Sequence, residues 1–218
     1  MDTWAIIPVK SLHASKKRLA HILTAAERAD LVHHFLQHTL SILEQTTAVQ
    51  QTLVISSDPL VLNLAWQYRA WTLAETVPAE DLLDGLNVAV SQATTWAAAQ
   101  GAASILILPV DLPLMQVNDV ERMVTAVQHA QPNGWTQPAS MAICTDKVGQ
   151  GTNALCISPP GNFTFHYGPG SFQKHIAEAA RHNMSVQIVA APNLQFDLDT
   201  ESDWHIYQSL VNQPIPVV

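Results

Sequence analysis

Asp111 closes an apolar run, Ser104-Ile-Leu-Ile-Leu-Pro-Val-Asp111-Leu-Pro113. A lone carboxylate at the tip of such a run is a candidate ligand for a hard cation such as Mg²⁺, which takes oxygen donors. Two more carboxylates stand in Phe196-Asp197-Leu198-Asp199-Thr200. On extended backbone, residues i and i+2 point the same way, so Asp197 and Asp199 share one side while Phe196 and Leu198 face the core. Paired carboxylates repel unless a cation or solvent relieves them. The plainer alternative is that Asp199 caps the last helix and Asp197 is solvated. Taken with Asp111, the three make a candidate divalent-metal site at segment ends.

Positive charge is concentrated elsewhere. Lys10, Lys16, Lys17 and Arg18 are four of only ten Lys and Arg in the chain, within Pro8-Val-Lys10 and Ser15-Lys-Lys-Arg18-Leu19. Several cations on one loop suit a polyphosphate, with Arg adding planar bidentate contacts; the alternative is a solvated basic loop. Neither G-x-x-x-x-G-K-[ST] nor G-x-G-x-x-G occurs, so a P-loop or dinucleotide fingerprint is unsupported. Half of the eight glycines, Gly149, Gly151, Gly168 and Gly170, fall in Gly149-Gln-Gly-Thr152-Asn-Ala-Leu155 and Tyr167-Gly-Pro-Gly-Ser171-Phe172. Glycine lets backbone N–H groups approach an anion, and a helix opening at Ser171 would favour phosphate or carboxylate at its N-terminus. The alternative is two ordinary turns. Asn87, in Asp84-Gly-Leu-Asn87, stands at an expected helix start, where its amide could hydrogen-bond a nucleobase or ribose; the alternative is an ordinary turn. His33, His34 and His38 lack an H-E-x-x-H context and read as a polar helix face. Asp58 reads either as a helix cap or as a site residue.

The elements that must position these groups alternate. Strands are expected at 4–9, 52–56, 71–73, 104–110, 141–145, 154–157 and 186–189. The clearest helix starts at Thr24 with Glu27 as a capping box, followed by Leu31, Val32, Phe35, Leu36, Leu40 and Leu43 at helical spacing. Further helices are expected at 59–69 and 86–99, after an Asn118/Glu121 capping pattern, at 172–182 with Ser171 as cap, and to about 210 after Thr200 or Ser202. This order implies an α/β fold with a mainly parallel sheet covered on both faces. Ligands of such sheets bind at the carboxyl ends of the strands, where Asp111 and the basic loop fall. A single domain over 1–211 and an extended tail over 212–218 are expected.

Composition narrows the function classes. With 218 residues, 48% of them hydrophobic, the chain can bury one sizeable core. A net charge of −8 argues against a nucleic-acid partner, though a small phosphorylated molecule needs only local cations. Cys144 and Cys156 lack metal-ligand spacing and read as reduced and buried in a cytoplasmic protein. No run approaches the ~20 apolar residues of a membrane span, and the N-terminus lacks a signal-peptide pattern.

In combination these motifs resemble the CofC/FbiD family of guanylyltransferases of coenzyme F-420 biosynthesis. The resemblance runs through Pro8-Val-Lys10, Lys16-Lys-Arg18-Leu19, Gly85-Leu-Asn87, Asp111-Leu-Pro113, Gly151-Thr-Asn-Ala-Leu155, Gly168-Pro-Gly-Ser-Phe172 and Phe196-Asp-Leu-Asp199-Thr. It implies a Rossmann-like, three-layer nucleotidyltransferase fold of the MobA-like type. It also implies transfer of GMP from GTP to phosphoenolpyruvate or 2-phospho-L-lactate (3-phospho-D-glycerate in a few members), with release of pyrophosphate. By motif, Asp111, Asp197 and Asp199 would hold Mg²⁺, two ions in all. Lys10, Lys16 and Arg18 would contact the GTP phosphates, with Asp111, Lys16 and Arg18 catalytic, and Asn87 would contact the nucleoside. Thr152, Gly168 and Ser171 would bind the acceptor. The chain departs from the pattern at Lys17, where Ser or Thr is usual, at Tyr167, where Phe is common, and in the acidic stretch 80–84. The implied partners are GTP and a small phospho-carboxylate, with neither nucleic acid nor membrane, and the proline-containing tail is a candidate dimer arm. The alternatives are a MobA-like nucleotidyltransferase acting on another phosphorylated acceptor and a non-catalytic nucleotide-binding module.

Overall fold

A computed structural model describes residues 2–12, 16–76, 85–129 and 139–211. The acidic stretch 80–84 and the tail 212–218, and with the latter the dimer-arm expectation, lie outside the described residues. Strands β1 (Thr3–Pro8), β2 (Gln51–Ser56), β3 (Trp71–Ala74), β4 (Ser104–Ile107), β5 (Ser140–Thr145), β6 (Thr152–Ser158) and β7 (Ser185–Ile188) form one sheet in the order β3-β2-β1-β4-β6-β5-β7. Only β6 runs against its neighbours, antiparallel to both β4 and β5. The reason is local. The other strands are joined through helices, as parallel crossovers require, but β5 reaches β6 by a short turn, which suits antiparallel pairing. Asp146 closes that turn, accepting at Oδ1 from the Gln150 N–H at 2.8 Å.

Helices α1 (Ala25–Gln45), α2 (Pro59–Gln67) and α4 (Val117–His129) cover one face, where Leu36, Leu40, Val61, Val120 and Met123 pack on Ile7, Val54 and Leu106. Helices α3 (Gly85–Ala99) and α5 (Ser171–Arg181) cover the other, where Ala89, Val90, Ala93 and Ala179 meet Ile6, Leu53 and Ile107. The short α6 (Pro192–Gln195) leads to α7 (Glu201–Val211), whose Tyr207 meets Phe35 of α1 edge-on at 5.8 Å. The alternation of Leu106 and Ile107 between the two cores is why this strand is apolar from Ile105 to Ile107.

Several expected boundaries moved. β4 stops at Ile107, not at residue 110, because Pro109 has no N–H to pair; the Leu108 N–H still donates to Ile6 at 3.0 Å. The Thr24/Glu27 capping box forms as expected. The start of α4 is held instead by Asp119, which accepts from the Gln116 N–H at 3.0 Å, so Asn118 lies inside the helix rather than capping it. Gly170, at φ 69°, takes the cap position of α5, and Ser171 is its first helical residue. Trp4, Trp71 and Trp96, far apart in sequence, gather with ring centroids 5.6 to 6.0 Å apart. Both cysteines are buried and unbridged. Among the described residues no helix is long and apolar enough to cross a membrane.

Candidate functional site

The chain runs outward from β1 to β2 and β3, then crosses back to lay β4 on the other side of β1. That reversal opens a crevice at the carboxyl ends of β1 and β4, the place where open α/β sheets hold ligands. A cleft of about 490 Å³ occupies it. Lys10, Lys16, Lys17 and Arg18 line it from the loop after β1, Asp111 from the end of β4, Thr152 and Asn153 from the start of β6, and Asp197 and Asp199 from the segment before α7.

Each wall is tied down. Asp58 caps α2 by accepting from the Leu60 N–H at 3.0 Å and also accepts from the Leu12 N–H at 3.0 Å and the Ser11 hydroxyl at 3.1 Å. It is therefore a cap that anchors the basic loop, and it is absent from the cleft lining. The Leu198 N–H donates to the Asp111 carbonyl at 3.1 Å, which lays the acidic segment beside the end of β4. Leu198 is fully buried, as the alternation predicts, so its neighbours Asp197 and Asp199 turn to the cleft side. Thr200, not Asp199, caps α7: its hydroxyl accepts from the Asp203 N–H at 3.3 Å. The buried Asp203 carboxylate takes the Thr200 N–H at 2.8 Å and the Asp199 N–H at 3.2 Å, and pairs with Lys147.

The electrostatic centre is Lys16. Its Nζ lies 2.6 Å from Asp111 and 2.8 Å from Asp199, and its side chain is 6% exposed. Burial alone pulls the ammonium pKa down, but Asp111 and Asp199 outweigh it and hold the pKa above its ordinary value. Arg18, mostly exposed, approaches Asp199 at 3.5 Å. Burial, then the Asp111 charge, raise the Asp197 pKa, with Asp199 adding to the effect; the Asn153 amide, 3.4 Å away, opposes it. Among the described residues no trio of acidic, imidazole or thiol groups is spaced to share one ion as it stands. The expected three-aspartate site is thus not preassembled; two of its members converge on an ammonium. The donor set still fits a hard divalent cation, because these oxygens already draw a cation between them and Asp197 adds further acidic charge.

Of the residues expected to bind the acceptor, Thr152 lines the cleft, while Gly168 and Ser171 lie in the turn that opens α5. The Phe172 N–H donates to the Gln150 carbonyl at 3.1 Å, joining the two glycine-rich segments. Gly168, at φ 120°, and Gly170 adopt backbone that side chains disfavour, which places the Ser171 N–H on the Gly168 carbonyl at 3.1 Å. Gly168 and Ser171 do not line the main cleft. Neither does Asn87: its amide accepts from the Tyr167 N–H at 2.6 Å and donates to the Tyr167 carbonyl at 3.2 Å. The amide assigned by resemblance to the nucleoside is thus engaged with Tyr167, and Tyr167 lines the cleft.

Sequence reasoning missed Asp203; it placed His175 beside Lys174 in the first turn after Ser171 and Asn153 in the Gly-Thr-Asn-Ala-Leu segment, without the contacts either one makes. Asp203 was legible as the fourth residue of a Thr-x-x-Asp cap. His175 lies four residues after Ser171, on the same helix face. Nothing local marks Asn153, whose amide donates to the Leu194 carbonyl 41 positions away at 3.0 Å.

The family model described as "Guanylyl transferase CofC like" matches residues 3–207. A phosphoenolpyruvate guanylyltransferase of Rubrobacter xylanophilus is 35% identical over 203 residues, 93% of this chain and 92% of that protein. One from Roseiflexus castenholzii is 37% identical over 93% of this chain and 86% of its own length. Among solved structures, a nucleotidyl transferase from Methanothermobacter superimposes with a TM-score of 0.63 at 11% identity, covering 96% of this chain and 97% of that one, which establishes the shared fold. With a nucleotidyltransferase fold and matches along nearly its whole length, the chain is a nucleotidyltransferase and belongs to the CofC-like guanylyl transferase family.

Proposed function

We propose that this enzyme transfers GMP from GTP to phosphoenolpyruvate, with 2-phospho-L-lactate as the alternative acceptor, releasing pyrophosphate in coenzyme F-420 biosynthesis. The observation that carries the reading is one cleft that sets Lys10, Lys16 and Arg18 against Asp111, Asp197 and Asp199, with Thr152 beside them. The similarity to phosphoenolpyruvate guanylyltransferases supports the choice of acceptor. The two buried free thiols support a reducing, cytoplasmic setting.

The acceptor phosphate is already anionic, so the reaction needs no protein nucleophile; positioning and charge neutralisation carry it. Lys10 and Arg18 hold the triphosphate and, with Lys16, offset charge that builds on the departing pyrophosphate. Asp111, Asp197 and Asp199 would hold Mg²⁺, two ions in all, which when bound would neutralise phosphate oxygens of donor and acceptor. Thr152, with the Gly168–Ser171 turn behind it, binds the acceptor's phosphate and carboxylate. Asn87 shapes the wall near the nucleoside by holding Tyr167.

A pyrophosphate-release assay across GTP, ATP, CTP and UTP against phosphoenolpyruvate, 2-phospho-L-lactate and 3-phospho-D-glycerate tests the reading. Release with GTP and phosphoenolpyruvate supports it. Release only with another acceptor, or GTP binding by calorimetry with no release, overturns it in favour of another transferase or a non-catalytic module.

A further inference from the structure

His175 is fully buried on α5, and both ring nitrogens meet polar partners. Nε2 lies 2.9 Å from the His166 N–H, and Nδ1 lies 3.0 Å from the Thr152 hydroxyl. A backbone N–H can only donate, so Nε2 must carry a lone pair. The neutral ring then has its proton on Nδ1, and Nδ1–H donates to Thr152 Oγ1. An imidazolium, or the other tautomer, would set two hydrogens against each other at Nε2. The surroundings agree: burial lowers the pKa to about 4, and the neighbouring His166 and Lys174 push the same way against Glu178. The Tyr167 ring, 5.0 Å away edge-on, and the Phe163 ring, 5.9 Å away, hold the imidazole in place.

A hydroxyl has one proton and two lone pairs. With a lone pair taken from behind by Nδ1–H, the Thr152 proton turns away from His175, and Thr152 lines the cleft. We propose that His175 is a positioning residue that fixes the Thr152 hydroxyl as a hydrogen-bond donor to the anionic acceptor, so that affinity for the acceptor is set by a side chain that never touches it. This rests on the proposed function, because it takes the group met by Thr152 to be the phospho-carboxylate.

Two variants separate positioning from structure. In His175→Asn the amide N–H replaces Nδ1–H toward Thr152, and the contact to His166 is lost. In His175→Gln the amide oxygen replaces Nε2 toward His166, and the donor to Thr152 is lost. Both give up one buried hydrogen bond, so both should melt lower by similar amounts. With GTP saturating, His175→Gln should raise the KM for phosphoenolpyruvate about 10-fold, the scale of one hydrogen bond to a charged group, while the KM for GTP holds. His175→Asn should keep the acceptor KM within about 3-fold of wild type. In a Thr152→Val background, His175→Gln should add nothing further. An equal KM rise in both variants, or a folded His175→Gln with unchanged acceptor KM, overturns the proposal. Nitrogen-15 NMR of the wild-type protein at neutral pH should show the Nδ1–H tautomer, and an Nε2–H ring or an imidazolium overturns it independently of any substrate. A wild-type protein inert toward every phospho-acid would overturn the proposed function, and the tautomer would still decide the His175 assignment.

Discussion

Asp111→Asn separates the role this carboxylate has in the cleft, as counter-charge to Lys16, from the one proposed for it, as cation ligand. Stranding a buried charge costs about 3–5 kcal/mol. Here the loss is smaller, because Asp199 keeps its 2.8 Å pair with Lys16, the amide oxygen can still accept from the ammonium, and Asp111 is 24% exposed. We expect a cost of about 1–2 kcal/mol, a fall in melting temperature of roughly 2–8 °C for a domain of this size. The effect on chemistry should be far larger. A neutral amide is a weaker ligand for a hard divalent ion, and it removes charge where two polyanionic substrates must be brought together. A drop in kcat of about 10³-fold, roughly 4 kcal/mol of barrier, is the expected scale.

The assay is pyrophosphate release at saturating GTP and phosphoenolpyruvate, paired with thermal melting and a Mg²⁺ titration of the rate. The variant should melt as one transition a few degrees below wild type, turn over orders of magnitude more slowly, and need more Mg²⁺ for half-maximal rate. Near-normal turnover would remove Asp111 from the mechanism. A loss of turnover that merely tracks a collapse of the melting transition would make Asp111 a structural partner of Lys16 and no more.

Other perturbations probe neighbouring parts of the argument. Ser171→Ala tests whether the turn behind Thr152 acts on the acceptor: because Ser171 is buried outside the cleft, it should weaken acceptor binding only indirectly, by about 3-fold or less, with the GTP KM unmoved; a rise of about 10-fold would mean that Ser171 meets the acceptor directly. Lys16→Met should lower the melting temperature by leaving Asp111 and Asp199 to repel each other, and added Mg²⁺ should restore more stability to this variant than to wild type; equal gains would mean these carboxylates do not share an ion. Acid should destabilise the protein in two windows. Burial leads in holding His175 near 4 against an ordinary 6.5, so its contribution is complete above 6.5 and lost as pH falls toward 4. Burial raises Glu178, but hydrogen bonds from His182, Thr164 and His166 outweigh it and bring the carboxyl to about 2, so its contribution is complete above 4.5 and lost as pH falls toward 2. Glu178→Gln should therefore flatten the melting-temperature profile below about 4.5 and leave the higher window in place; a flat upper window in that variant would refute the division.

What the sequence showed and what it hid follow one division. Local chemistry was legible: the Thr24/Glu27 box, the apolar run into Asp111, and the i, i+2 pair of Asp197 and Asp199 all depend on residues within a few positions of one another. Where local signals compete, the reading slipped. Asn118-x-x-Glu121 has the capping pattern, but Asp119 reaches the Gln116 N–H first. Ser171 is a favoured cap type, yet Gly170 takes the left-handed position the turn requires. Contacts between distant segments could not be read at all. Lys16 meets Asp111 across 95 positions and Asp199 across 183, and only the folded sheet brings Thr152 to His175 or gathers Trp4, Trp71 and Trp96.

The pairing of Lys16 bears on how an acidic protein manages a site for polyanions. With a net charge of −8, the chain gains no overall attraction for GTP. Attraction has to be local, and three of the cleft's side chains are aspartates that oppose it. Lys16 resolves part of this conflict from within. It is buried against Asp111 and Asp199, so its charge mainly cancels theirs and contributes little field toward the solvent. Lys10, Lys17 and Arg18 are exposed on the same loop and line the cleft, where the proposed function has the triphosphate arrive. The basic loop is thereby divided, with Lys16 neutralising the acidic wall from within and the exposed members left to draw the donor in the proposed reaction. A division of this kind predicts different salt responses: screening acts strongly on exposed charges and weakly on buried ones. Raising ionic strength should therefore raise the KM for GTP through Lys10, Lys17 and Arg18 well before it disturbs the Lys16 cluster on which the acidic wall depends.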